Sequence, residues 1–141
     1  MAQKVAIVGA GRIGKALEQV LRAHHKNATL LGAASHSVLD AASLKKEIPS
    51  ARAIFLCVPS WATREVLHQL LAFYRKNTII VSFAKGLEEK SRKRVDEIFE
   101  EILPLPKRYG VCAGPMMAED LAEGFLGRVV VGSKTDRKSV V

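Results

Sequence analysis

The sequence predicts an α/β fold in which a doubly wound, mostly parallel sheet is covered by helices on both faces. Three observations predict it. Uninterrupted apolar runs of strand length, such as "KVAIV", "AIFLCV" and "TIIVSF", alternate with amphipathic stretches, and strands that are apolar on both sides belong to parallel sheets buried beneath helices. The first run breaks at once into Gly9, Gly11 and Gly14, a strand-to-helix turn with almost no side chains. Only about twenty residues separate the second strand, "ATLLGAAS", from "AIFLCV", too few for the further strand and helix that a full doubly wound half carries there. The sheet is therefore expected to be trimmed after its second strand.

Residues 4–8 read as the first strand and about 12–25 as the first helix, where Ile13, Leu17, Val20 and Leu21 fall at helical spacing. "ATLLGAAS" follows as a second strand and "HSVLDAASLKKEI" as a short helical pattern. "ARAIFLCVPS" is an apolar strand closed by Pro59, and "WATREVLHQLLAFYRK" places Val66, Leu67, Leu70, Leu71 and Phe73 or Tyr74 on one helical face. "NTIIVSFAKG" reads as another buried strand. "EEKSRKRVDEIFEEIL" reads as a helix whose mixed charges form a solvated face. "RYGVCAGP", a short helix through "MMAEDLA", and "GRVVVGS" complete the alternation. With no repeat, low-complexity tract or linker, residues 1–141 are expected to form one domain.

The composition narrows the class. At 141 residues and 48% hydrophobic, the chain can bury one core and not two. No apolar run approaches the ~20 residues of a membrane helix, and the first apolar segment stops at Gly9, unlike a signal peptide. A soluble cytoplasmic protein without a membrane partner is expected. Cys57 and Cys112 lie in apolar runs and read as reduced, buried thiols, with no metal-ligand spacing around them. No metal is expected. The net charge of +8 favours a polyanionic partner or substrate. A nucleic-acid partner is not expected, because no aromatic residues interleave with the basic ones and no finger or RNP pattern occurs. His24 and His25 end the first helix, where a cation suits the dipole; His68, among apolar helix positions, reads as structural. Trp61 can pack at a helix start or lie beside a ligand.

The glycine turn carries the chemistry. In such a turn the first glycine permits a tight bend, the second lets backbone approach a pyrophosphate, and the third lets helix and strand pack closely. The N–H groups and dipole at the helix start stabilise the negative charge. Gly9, Ala10, Gly11, Arg12, Ile13 and Gly14 are thus candidate cofactor residues of a Rossmann-like dinucleotide-binding domain. The cofactor is NADP or NAD. The second strand runs into "GAASHS" with no acid before Asp40, whereas an NAD-specific strand normally ends in Asp or Glu. Ser35 and its small neighbours leave room for a 2′-phosphate, toward which Arg12 could reach. The competing view is that Arg12 faces solvent and the site takes either cofactor.

"VAIVGAGRIGKAL", "VPSWATREVL", "SFAKGLEE" and "GPMMAEDLAEG", in this order, resemble the N-terminal domain of NAD(P)-dependent glycerol-3-phosphate dehydrogenase. The resemblance implies hydride transfer between the cofactor and the glycerol-3-phosphate/dihydroxyacetone-phosphate pair. It puts Pro59 near the cofactor, Lys85 between nicotinamide and substrate as the candidate catalytic residue, and Ala118 at a cofactor contact. Gly114 and Met116 fall at substrate contacts. The chain departs from the pattern at Met116, where Ser or Thr is usual, and at Ile13, where an aromatic often stands. A second, helical substrate domain with the principal catalytic lysine, also implied by the resemblance, is absent from these 141 residues, so the chain alone is expected to bind cofactor and catalyse little. A homodimer is the assembly to test. The alternative function is a stand-alone dinucleotide sensor that signals without chemistry.

Overall fold

The computed structural model describes residues 3–24, 27–32, 39–125 and 127–134. They form β1 (Lys4–Val8), α1 (Arg12–Ala23), β2 (Asn27–Leu31), α2 (Ala41–Glu47), a 3-10 turn (Ile48–Ser50), β3 (Ala53–Leu56) and α3 (Ser60–Leu71). β4 (Ile79–Ser82), α4 (Val95–Ile102), β5 (Tyr109–Ala113), α5 (Ala118–Ala122) and β6 (Val130–Gly132) follow. One sheet results, in the order β2-β1-β3-β4-β5-β6. Every neighbouring pair is parallel except β5 and β6. The expected α/β architecture is the observed one. Among the described residues β2 is an edge strand, and only α2 and the 3-10 turn lie between it and β3, in keeping with the trimmed sheet.

The apolar strands are buried on both faces because successive side chains point to opposite sides. Ala6, Val8, Ile54 and Leu56 join one core cluster, whereas Ile7 and Cys57 join another. Leu44 of α2, Leu67 and Leu70 of α3 and Phe99 of α4 cover the first face; Leu17 of α1 and Leu121 of α5 cover the second. Leu67, Leu70 and Phe99 are fully buried, and each such side chain contributes about 1.5–3 kcal/mol of hydrophobic stabilisation. Tyr109 is tied to α4 by its hydroxyl, which donates to Glu100 Oε1 at 2.6 Å, and Lys107 pairs with the same carboxylate at 3.1 Å.

Several elements are shorter than the sequence pattern suggests. α1 ends at Ala23, and exposed His24 closes it by donating its N–H to the Val20 carbonyl at 3.2 Å; His25 lies outside the described residues. α2 starts only after Asp40, whose carboxylate accepts from the Ser43 N–H at 2.8 Å. α3 stops at Leu71, and the Tyr74 hydroxyl instead closes a turn onto the Thr78 carbonyl at 3.1 Å. His68 is exposed rather than packed, which corrects its structural reading. The largest correction concerns residues 88–103: only Val95–Ile102 are helical. Glu88 turns inward to 7% exposure and Leu87 bridges Arg94, so the first seven residues form a loop. A carboxylate fully engaged by a guanidinium outweighs the helix propensity of this Glu-, Lys- and Arg-rich stretch, which tertiary contacts readily override. Cys57 and Cys112 are buried and free, as expected, and burial pushes the Cys57 thiol up to about 12.

Candidate functional site

A cleft of about 700 Å3 opens beyond the carboxyl ends of β1, β3, β4 and β5. From β1 the chain first turns outward to β2 and then returns to β3 on the other side of β1. Ligands of open α/β sheets bind where the strand order reverses in this way. Ten of the candidate residues line this one cleft: Gly9, Ala10, Gly11, Arg12, Ile13 and Pro59, and from farther along the chain Lys85, Gly114, Met116 and Ala118.

The three glycines have different physical reasons. Gly9 has φ +112°, and a Cβ there would stand 2.5 Å from the Cys57 carbonyl oxygen. A Cβ on Gly14 would stand 1.9 Å from the Gly9 carbonyl oxygen. Gly14 is thus needed to seat α1 on the turn, and it does not line the cleft. A Cβ on Gly11 would meet nothing within 4 Å. Gly11 precedes α1 in an extended conformation and offers no side chain to cap it. The first-turn N–H groups, which no helical carbonyl can reach, begin beside this open space.

The other candidates sit at strand ends. Pro59 is exposed and precedes α3. Lys85 is exposed, followed by Gly86 at φ +91°. Gly114 has φ +145°, and a Cβ there would strike the Arg128 carbonyl oxygen at 2.5 Å, so the close approach of the segment before β6 already requires glycine. Met116, whose thioether donates no hydrogen bond, has its Cγ 3.1 Å from where a Gly127 Cβ would stand. Ser35 lies outside the described residues. Among the described residues no group of three or more His, Cys, Asp or Glu could hold a metal, and no helix is long and apolar enough to cross a membrane.

Two side-chain arrangements escaped sequence reasoning. Arg64 on α3 donates from Nε and Nη2 to both oxygens of Glu88 at 2.8 and 2.9 Å, and from Nη1 to Glu101 at 2.9 Å. Arg64, with help from the Ser91 hydroxyl, holds the Glu88 carboxyl down to about 2. The Ser60 hydroxyl donates to the Leu87 carbonyl at 2.9 Å. Together these bonds latch the segment after Lys85 to α3. The second arrangement is an ion pair between Arg12 Nη1 and Glu119 Oε1 at 2.6 Å. The one sequence signal for the latch is that apolar helical spacing in "EEKSRKRVDEIFEEIL" starts only at Val95.

An open sheet of this order, with a bare turn and a cleft at its switch point, defines a Rossmann-like dinucleotide-binding domain. Within that class the chain belongs to the family described as NAD-dependent glycerol-3-phosphate dehydrogenase N-terminus, which matches residues 20–139. The match begins inside α1, so it is independent of the glycine turn. Glycerol-3-phosphate dehydrogenase [NAD(P)+] of Clostridium acetobutylicum is 40% identical over 95 residues, covering 67% of this chain and 28% of that protein. Its counterpart in Moorella thermoacetica is 31% identical over 163 residues, covering 99% of this chain and 47% of that protein. That alignment is longer than the 141-residue chain, so the relative carries residues without a counterpart here. The chain spans less than half the length of either relative.

Among solved structures, glycerol-3-phosphate dehydrogenase of Coxiella burnetii superimposes with a TM-score of 0.75 at 23% identity, over 92% of this chain and 46% of that one. Prephenate dehydrogenase of A. aeolicus gives 0.69 at 18% identity, over 100% and 53%. These two likenesses concern the fold, which hosts more than one chemistry.

Proposed function

We propose that this chain is the cofactor-binding part of an oxidoreductase that moves a hydride between NADP or NAD and the glycerol-3-phosphate/dihydroxyacetone-phosphate pair. Gly11 carries the cofactor assignment. Packing explains Gly9 and Gly14, whereas a side chain on Gly11 would stand in the open cleft. A pyrophosphate lying there would meet bare backbone and the free N–H groups of the α1 start. The residues present therefore fit a dinucleotide. The nicotinamide, when bound, supplies the hydride acceptor or donor. Lys85, an exposed ammonium at the cleft, holds a phosphoryl or hydroxyl oxygen of the substrate. The substrate pair is supported by the family and by the names of its relatives. The buried thiols support a cytoplasmic setting.

NADP(H) binds at least as tightly as NAD(H). After β2 the next acid in the sequence is Asp40, and its carboxylate is taken by the start of α2. Arg12 is the cation nearest to hand in the turn. Calorimetric titration with NADPH and NADH tests both points: wild type binds, and Gly11→Val loses binding while keeping its fold. Equal affinity in the variant would make the turn purely structural. Preference for NADH, unaltered by Arg12→Ala, would overturn the cofactor order. Because the relatives named above are more than twice as long, this chain alone is expected to show no turnover with glycerol 3-phosphate, and saturable reduction of NADP by it would refute that.

A further inference from the structure

The geometry points to a role for Glu119: we infer that its carboxylate occupies Arg12 in place of a cofactor phosphoryl group and yields that place when a dinucleotide binds, which makes Glu119 an affinity-determining residue. The inference rests on the dinucleotide reading above. Arg12 is the first residue of α1, where a positive charge opposes the helix dipole, and no acidic residue in the first turn compensates it. A guanidinium in that position suits an anion coming from outside the helix. Here the anion is Glu119, in the first turn of α5, 107 residues away and 2.6 Å from Arg12 Nη1. Both residues line the cleft.

The pair is poorly suited to holding the fold together. The Arg12 side chain is 86% exposed and that of Glu119 52%, and solvated pairs of this kind contribute little. α5 keeps a second polar tie to α1, from Gln19 Nε2 to the Ala122 carbonyl at 3.1 Å. A phosphoryl group presents several oxygens to the planar fork of the guanidinium, whereas Glu119 meets it through a single contact. Glu119 therefore lowers affinity, and it does so through Arg12.

A double-mutant cycle tests this. NADPH and NADH are titrated at low salt into wild type, Glu119→Gln, Arg12→Ala and the double variant. Glu119→Gln should tighten binding about three- to fivefold, and the gain should vanish when Arg12 is already Ala. A gain confined to NADPH places the 2′-phosphate on Arg12; an equal gain for both nucleotides places the pyrophosphate there. The inference is overturned by an unchanged or weakened affinity in Glu119→Gln, or by the same gain in the Arg12→Ala background, which would be general repulsion. In both cases wild-type binding survives and the dinucleotide reading with it. A wild type that binds neither nucleotide removes that reading and this inference together.

Discussion

Two loops border the cleft and are built by opposite means. The turn from Gly9 to Gly14 is shaped by missing side chains: two of its glycines are demanded by carbonyl oxygens within 2.5 Å of where a Cβ would be. The segment from Gly86 to Arg94 is shaped by side chains that reach across to another helix, chiefly Arg64 onto Glu88. The first loop keeps its shape through steric contacts that do not depend on charge. The second depends on charge, so pH and single substitutions can release it. A rigid turn without side chains and a latched cation-bearing strand end thus border one cleft.

The sharpest way to break this comparison is Gly14→Val. The new Cβ would overlap the Gly9 carbonyl, and backbone cannot swing aside as a flexible side chain can. A loss of about 3 kcal/mol or more is expected in urea unfolding. Gly11→Val, of equal size and three residues away, should cost about 1 kcal/mol or less, since only helix capping changes. Similar losses in the two variants would show that the turn is not held by the contacts described.

Arg64→Ala comes next. It strands the inward-facing Glu88 carboxylate, and allowing for the part of Arg64 open to solvent, about 2 kcal/mol should be lost. Arg64→Lys restores charge without the two-pronged contact and should recover only part. No loss would mean that the loop stands without its latch. The charge dependence adds a pH signature. Because Glu88 is held at about 2 in the fold against about 4.5 normally, its contribution is complete above about 4.5 and is lost as pH falls toward 2. Glu88→Gln should flatten that acid limb by about 1–2 kcal/mol when denaturation near neutrality is compared with about pH 3. Superimposable acid limbs would contradict the pairing. The smallest effect belongs to Ser60→Ala, which removes one hydrogen bond to the Leu87 carbonyl and should cost about 0.5–1 kcal/mol by thermal unfolding.

The same contrast decides what could be read from the sequence. The glycine turn was legible because its three glycines stand within six residues of one another, although the contact that demands Gly9 comes from distant Cys57. Pro59, Lys85 and Gly114 were legible as strand ends, where proline and glycine punctuate apolar runs. The short spacing before β3 foretold the trimmed sheet, in which β2 stands at the edge among the described residues. Glu88 was misread because its partner lies 24 residues upstream on another helix, and nothing local distinguishes it from Glu89 beside it. Arg12 was singled out, yet its partner 107 residues away is invisible to any window of sequence. His68 went wrong through a similar limit, since apolar neighbours along a helix do not settle which way one position faces.

Tyr74 and Tyr109 are the chain's two tyrosines, and burial, joined at Tyr109 by the Glu100 carboxylate, raises both phenols above their usual range. Free tyrosine loses its proton at about pH 10, and in the fold both rings hold theirs to higher pH. In an alkaline titration the ultraviolet band of tyrosinate should therefore rise at higher pH in the folded chain than in the chain unfolded by urea. The molecule carries its own optical gauge of unfolding, with one ring reporting on the turn after α3 and the other on the junction of α4 with β5.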